Sequence, residues 1–145
     1  MKILWEVLAA TVGSTAFALL FSVPSRHYLV CALLGGASWL IYSLVMLWGA
    51  PAGIGVLAGA FFVALLSRWL AVWRACPSTV LMIPGLFPLI PGAGVYWTIH
   101  YLVANDLSMA RQTGFTAVKM AIAIVFGIVL AFELPQKLFA LRKKG

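Results

Sequence analysis

A segment rich in proline and glycine has the most unusual backbone chemistry in the sequence. Three prolines and three glycines fall between Pro84 and Gly94, inside a run of the chain without charged residues. Each proline lacks a backbone N–H and clashes with the preceding helical turn, so the carbonyls of Val80, Pro84 and Phe87 should lose their usual helical partners. The residues before the prolines are pushed away from helical geometry as well. We expect the backbone from Pro84 to Gly94 to leave the helical form.

The backbone that follows such a break can bind an anion. A half-helix that starts near Gly92–Gly94 would present free N–H groups and the positive end of its dipole, which suits a carboxylate. Discontinuous membrane helices form solute sites in this way in many transporters. A kinked helix packed on its neighbours is the alternative interpretation. The candidate solute-binding residues are Pro84, Gly85, Pro88, Pro91, Gly92, Gly94 and Tyr96.

Three ionisable residues are candidates for coupling to protons. His100 stands at i+4 from Tyr96, and histidine is the side chain best suited to carry protons near neutral pH; an ordinary helix contact is the alternative. Glu6 and Glu133 lie near the ends of apolar runs, where placement at the membrane interface is the alternative. The sequence has no metal-ligand spacing, nucleophile motif or phosphate loop. We therefore expect no enzymatic activity, no cofactor and no metal.

Composition predicts the kind of element that must carry these residues. Apolar residues make up 64% of the 145 residues and charged residues 9%, whereas a typical soluble domain has roughly 25% charged residues. A chain of this size has too much surface for its volume to bury so many apolar side chains. The composition excludes a soluble monomer, a disordered chain and a disulfide scaffold. It predicts an all-α integral membrane protein.

Charge-free runs locate about five membrane spans within one transmembrane domain over residues 1–145. Residues 7–25, 27–67 and 75–105 carry no charge if histidine is neutral, and one span takes roughly 20 residues. The second run has room for two helices, because the glycines and proline at 49–53 predict a turn. The proline- and glycine-rich segment should break the fourth span. The predicted spans are 3–23, 28–48, 53–73, 78–104 and 113–134, followed by a basic tail at 135–145.

The basic residues predict the orientation of these spans. Lys and Arg collect on the cytoplasmic side of membrane proteins, and here one side carries seven of them against Lys2 and Arg111 on the other. This places the C-terminus in the cytoplasm and the N-terminus outside. The net charge of +7 is spread between apolar runs rather than gathered on one face, so it does not indicate a nucleic-acid partner. The seven residues are Arg26, Arg68, Arg74, Lys137, Arg142, Lys143 and Lys144.

A family resemblance rests on the same proline- and glycine-rich segment. The stretch from Met82 to Tyr96 closely resembles the signature of the bacterial threonine/serine exporter family. The likeness extends to Phe21–Pro24, Leu34–Ala37 and Ser67–Trp69, and to a final span with a basic tail. It covers nearly the whole chain. The chain resembles the C-terminal half of that family, which also occurs as a separate small subunit.

The resemblance implies export of small amino acids, or of dicarboxylates in some two-subunit members, driven by the proton gradient across the bacterial inner membrane. It also implies a second membrane subunit that supplies the other half of the exporter. Two alternatives remain open: a self-sufficient homo-oligomeric channel or small exporter, and a non-transporting membrane assembly factor. The sequence does not identify the solute, because threonine and a dicarboxylate both carry a carboxylate.

Overall fold

The computed structural model describes residues 1–135, and all the regular elements in that part of the chain are helices. Four of them are long and apolar enough to cross a membrane, and a bent pair of shorter helices adds a fifth crossing. This confirms the predicted fold class. The predicted basic tail lies outside the described residues from position 136 onward. The α-helices are α1 Lys2–Leu20, α2 Tyr28–Leu47, α3 Ala52–Arg74, α4 Ser78–Leu86, α5 Gly92–Val103 and α6 Leu107–Glu133.

Local chemistry sets the helix ends. Pro51 and Pro77 immediately precede α3 and α4, where a missing N–H costs nothing. The last helix begins at Leu107, earlier than the predicted residue 113, because the Asp106 side chain caps it by accepting a hydrogen bond from the Met109 N–H at 3.1 Å. The prediction had treated the polar residues after Asp106 as a loop.

Glycines let neighbouring helices approach closely. A Cβ atom at Gly35 of α2 would overlap the Ser14 side chain of α1. A Cβ atom at Gly59 of α3 would lie 3.0 Å from the Ser38 carbonyl oxygen of α2. Small residues at such positions allow van der Waals packing between membrane helices. These contacts hold α1, α2 and α3 together as consecutive antiparallel neighbours.

Helices α3 and α6 run in the same direction. A Cβ atom at Gly127 would lie 2.7 Å from the Leu57 carbonyl oxygen, so α6 passes α3 without a side chain between them. Further along both helices, the buried Arg68 guanidinium donates to the carbonyl of Ala131 and, at 3.1 Å, to that of Leu134. The C-terminal ends of α3 and α6 therefore lie side by side.

This parallel arrangement decides the path of the bent pair. The segment from Ser78 to Val103 begins just after α3 and ends just before α6. It must carry the chain from the C-terminal end of α3 to the opposite end of the bundle, where α6 starts. The two halves, Ser78–Leu89 and Gly92–Val103, meet at a bend of 50°. The pair is a single broken crossing, because a re-entrant loop would return to the side on which it began.

The two halves of this crossing have different surroundings. Helix α4 lies inside the bundle, with Leu81 fully buried against α1 and α2 and Met82 buried against α3. Helix α5 has no buried residue. It packs on α6, where Gly94 meets Ala117 and Thr98 meets Gly114. The chain thus leaves the core at the bend, and a space opens between α5 and the rest of the bundle.

The close contact of α6 with α3 gives a prediction for stability. Gly127→Ala should lower the free energy of unfolding by about 1–3 kcal/mol, because the new Cβ atom would press on rigid backbone and force the helices apart. Gly13→Ala is the matched control. Gly13 has no heavy atom within 4 Å of its Cβ position, and its replacement should change stability by less than about 0.5 kcal/mol. Thermal unfolding of both variants in the same detergent measures the difference, and equal stabilities would contradict this packing.

Candidate functional site

The break in the fourth crossing is shorter than the sequence predicts. Helix α4 continues through Pro84 to Leu86, and a 3₁₀ helix follows at Phe87–Leu89. Helical geometry is then lost at Ile90, whose backbone is extended, and at Pro91, and α5 begins at Gly92. The expectation that the backbone leaves helical geometry from Pro84 onward is therefore wrong. The break covers two residues.

The helix continues because each backbone carbonyl that loses its helical N–H donor to a proline accepts a hydrogen bond from another group. The Val80 carbonyl lies 3.8 Å from Sγ of Cys31 on α2, which donates its S–H across the helix pair. The Pro84 carbonyl accepts from the Phe87 N–H. The Phe87 carbonyl accepts from the Ile90 N–H at 3.2 Å. Two of the three replacements are the tighter i→i+3 bonds of a 3₁₀ turn, which explains why the chain narrows into that form before it bends.

The start of α5 carries backbone donors without a protein cap. Pro91 precedes the helix and provides no side-chain cap. The Gly92 N–H donates to the Ile90 carbonyl at 2.7 Å, whereas the Gly94 N–H has no acceptor within residues 1–135. Nothing lies within 4 Å of a Cβ atom placed on Gly92. This helix end is open to an incoming group.

A cavity of about 540 Å³ lies in front of this helix end. Its walls come from α2, α3, the break, α5 and α6. None of the described side chains that line it is charged. The lining residues are Trp39, Tyr42, Val56, Pro88, Leu89, Ile90, Pro91, Gly92, Ala93, Gly94, Trp97, Met109, Gln112, Thr113, Thr116, Ala117 and Met120.

Polar groups on α6 form the wall next to the start of α5. Gln112, Thr113 and Thr116 line the cavity. The Thr98 hydroxyl lies 3.1 Å from that of Thr113 and donates to the Gly94 carbonyl at 2.6 Å, which links the two helices beside the cavity. Backbone N–H groups of α5 together with hydroxyl and amide groups of α6 suit a small polar solute with a negatively charged end. The described residues contain no group of three or more side chains placed to hold a metal ion.

The predicted solute-binding residues divide into two groups. Pro88, Pro91, Gly92 and Gly94 line the cavity. The others lie elsewhere: Pro84 and Gly85 are buried within α4, and a Cβ atom at Gly85 would meet Leu34 and Val63 at 3.0 Å. Tyr96 is 63% exposed on α5 and stacks against His100 at 6.3 Å, away from the lining residues. The role of Pro84 and Gly85 in this geometry is packing, since the helix continues through them.

The predicted proton-coupling residues are also separated. His100 and Glu133 are exposed and do not line the cavity. Glu6 on α1 accepts a hydrogen bond at 3.2 Å from Nε1 of Trp39, which does line it. The structure brings Glu6 and His100 into contact with cavity residues, since the His100 ring lies 5.3 Å from that of Trp97, whereas no described contact joins Glu133 to one.

Several cavity residues were not predicted from the sequence. Gln112, Thr113 and Thr116 carry a usable signal, because their spacing places polar groups on neighbouring positions of one turn of an otherwise apolar helix. Trp39 and Tyr42 carry none: aromatic residues in a membrane helix usually serve as interface anchors or packing. Their part in the cavity depends on how α2 is rotated against α3 and the break.

Comparison with known proteins agrees with the signature in the break. The sequence model of a family described as Threonine/Serine exporter, ThrE, matches residues 6–133. The match includes all six α-helices and the cavity. No solved structure matches the chain.

The geometry predicts that substitutions at Gly92 and at Gly94, both in the first turn of α5, affect stability differently. Gly94→Leu should destabilise the protein by about 1–3 kcal/mol, because a Cβ atom there already lies 3.2 Å from Cβ of Ala117 on α6. Gly92→Leu should change stability by less than about 0.5 kcal/mol, because its Cβ position is open. Thermal unfolding in detergent at matched concentration measures both. A stable Gly94→Leu variant would show that α5 does not pack on α6 at this point.

Proposed function

The chain belongs to the threonine/serine exporter family, and we propose that it is one membrane subunit of an exporter of small carboxylate-bearing solutes. Membrane location and transport follow from the family and from the membrane-length helices. The solute in this proposal is threonine, serine or a dicarboxylate. The binding site is the cavity at the break, and the protein is not an enzyme.

The observation that carries the proposal is the uncapped start of α5 inside a cavity whose described walls are uncharged. The Gly94 N–H has no acceptor among the described residues, and the positive end of the helix dipole adds to its attraction for an anion. A carboxylate placed here would receive charge-assisted hydrogen bonds, which are stronger than bonds between neutral groups. The low dielectric of a membrane cavity strengthens them further.

The α6 wall of the cavity supports a solute with more polar groups than a carboxylate alone. Gln112 and Thr116 line the cavity from α6, the helix on which the start of α5 packs. An amide oxygen and a hydroxyl can accept hydrogen bonds from the hydroxyl or ammonium group of a small solute. Apolar side chains such as Val56 and Met120 make up the rest of the walls and suit a short carbon skeleton.

We propose that a second membrane subunit completes the exporter. Five crossings place the two ends of this chain on opposite sides of the membrane, so a second five-crossing half can be joined to it in the opposite orientation. A homo-oligomeric channel or small exporter needs only copies of this chain, and an assembly factor transports nothing. Copurification with a distinct membrane protein favours the first arrangement over the homo-oligomer, which needs only copies of itself.

We propose that the basic end of the bundle faces the cytoplasm of a bacterial cell, across the inner membrane. Arg74 donates to the Arg26 carbonyl at 2.8 Å, so the loops after α1 and α3 lie at one end. Arg68 is near the same end of α3. A basic excess on that side agrees with the preference of Lys and Arg for the cytoplasmic side.

Proton coupling through His100, Glu6 or Glu133 stays a prediction. Its geometric support comes from Glu6, which accepts from the Trp39 indole, and from His100, whose ring lies 5.3 Å from that of Trp97; no described contact joins Glu133 to a cavity residue. Export driven by the proton gradient would in addition require that the group become accessible from both sides of the membrane.

Export by Gly92→Leu tests the proposed site. A leucine side chain at this open position would fill the space in front of the helix start and prevent a carboxylate from reaching the N–H groups. Hydrogen bonds to a charged group contribute about 1.5–3 kcal/mol, so export should fall about 10- to 100-fold. Efflux of labelled threonine, serine and succinate is measured in cells that also produce the second subunit, at matched amounts of protein in the membrane.

Two controls accompany this measurement. Gly53→Leu introduces the same side chain in the first turn of α3, where nothing lies within 4 Å, and should export normally. The unaltered chain produced without the second subunit should export nothing above background. Normal export by Gly92→Leu would place the site elsewhere, and export by the purified chain alone in liposomes would favour the homo-oligomer.

Orientation is tested with reporter fusions that are active only in the cytoplasm. A reporter fused after Gly145 should be active, because the seven basic residues on that side keep it in the cytoplasm. A reporter fused after Asp106, in the turn between α5 and α6, should be inactive. The opposite pair of results would reverse the proposed orientation while leaving the fold unchanged.

A further inference from the structure

Trp39 connects α1 to the cavity through a hydrogen bond. Its indole ring lines the cavity from α2, and its Nε1–H donates to Oε2 of Glu6 on α1 at 3.2 Å. Helix α1 supplies none of the described lining residues itself. This hydrogen bond is one connection between α1 and the cavity wall; the Phe17 ring of α1, stacked on Phe87 next to the lining residue Pro88, is another.

The bond to Trp39 is the interior contact of Glu6. Its other contact is with Nζ of Lys2 at 3.8 Å, and the Lys2 side chain is 90% exposed. Ion pairs between exposed side chains contribute little to stability. An indole N–H can only donate, and a carboxylate is a strong acceptor for it. The bond fixes the N–H edge of the ring in the direction of α1.

The surrounding contacts hold this geometry. Close to Glu6 along α1, Thr11 meets the Cβ position of Gly36 on α2, so the two helices are in direct contact there. On its other side the Trp39 ring packs against Tyr42 at 5.0 Å between ring centroids, and Tyr42 also lines the cavity. The indole is thus held between a carboxylate on α1 and an aromatic ring on its own helix.

We propose that Glu6 is a positioning residue that draws the Trp39 indole toward α1 and so keeps the cavity open. An apolar ring beside an empty cavity gains contacts by moving into it, and the hydrogen bond to Glu6 opposes that movement. When the bond is lost, the ring fills part of the space in front of the α5 start. The inference rests on the proposed function only in taking this cavity as the place where the solute binds.

A positioning role and a proton-carrying role require different chemistry of the side chain at position 6. Positioning needs an acceptor for the indole N–H, which a glutamine supplies through its amide oxygen. Proton carriage needs a group that gains and loses a proton, which glutamine cannot do. Glu6→Gln should therefore behave like the natural protein if Glu6 positions Trp39. Glu6→Ala removes the acceptor as well as the charge.

A cysteine at position 116 reports on the cavity without any transport. Thr116→Cys is introduced into a background with Cys31→Ser and Cys76→Ser, and the purified chain is labelled with a small maleimide. Glu6→Ala and Trp39→Phe should each slow labelling about tenfold, which corresponds to about 1.4 kcal/mol in the balance between open and filled cavity. Glu6→Gln should label at the natural rate. The combination of Glu6→Ala with Trp39→Phe should be no slower than either change alone.

Matched controls separate this effect from loss of structure. Lys2→Ala removes the exposed partner of Glu6, and Trp5→Phe makes the same ring exchange at an exposed tryptophan of α1; neither should change labelling at position 116. A cysteine introduced at the exposed Ala104 should label equally in all variants. Unchanged or faster labelling at position 116 in Glu6→Ala would overturn the proposal, as would equal slowing by Glu6→Gln.

Export measurements give a second readout for the same variants. In cells with the second subunit, Glu6→Ala should raise KM with kcat nearly unchanged, and Glu6→Gln should restore KM. A low kcat in Glu6→Gln would identify a proton carrier and overturn the positioning role. The labelling result does not depend on the export measurements. If Gly92→Leu exports normally, the proposed binding site is wrong. Labelling of the cysteine at position 116 still tests the effect of Glu6 on the cavity.

Discussion

Backbone groups inside a membrane must find their partners within the protein, because lipid tails offer neither donors nor acceptors. In this chain the constraint is most severe between Pro84 and Pro91, where three prolines remove three donors from one crossing. The fold meets it with a thiol from α2, a change to 3₁₀ hydrogen bonding and a bend of 50°. The remaining free N–H groups lie after the bend, at the start of α5. In this crossing, free N–H groups thus lie at a cavity wall, where a ligand can reach them.

The rest of the bundle follows from keeping the first half of this crossing covered. Glycines on α2 and α3 bring backbones close enough to enclose α4, and Gly85 lets α4 approach Leu34 and Val63. Arg68 joins the C-terminal ends of α3 and α6, which fixes the last helix as a long parallel neighbour of α3. Helix α6 is the longest helix among the described residues. Its N-terminal part therefore extends past the bend, and α5 packs against it. The cavity is the space left between this peripheral pair and the enclosed core.

The sequence allowed the class of fold and the place of the break to be predicted, because both depend on local properties. Apolar runs and proline positions can be recognised within a short stretch of sequence, and so can glycines that mark the start of a helix. The extent of the break was not predictable: whether Pro84 interrupts a helix depends on Cys31, which lies 49 positions away in the chain. The walls of the cavity have the same dependence. Trp39 and Thr116 face it because of the rotation of α2 and α6, which arises from glycine contacts between helices rather than from either helix alone.

The absence of charged side chains from the described cavity walls has an electrical consequence. When such a site exchanges its access from one side of the membrane to the other, its walls carry no charge across the field, so the charge that crosses, apart from any coupled proton, is that of the solute. One elementary charge moving through 100 mV changes the free energy by about 2.3 kcal/mol. A zwitterion such as threonine would then cross without electrical work. A dicarboxylate leaving a cell with a negative interior would be driven out by the membrane voltage, at about twice that energy. Whether export through this cavity carries current therefore depends on what is carried.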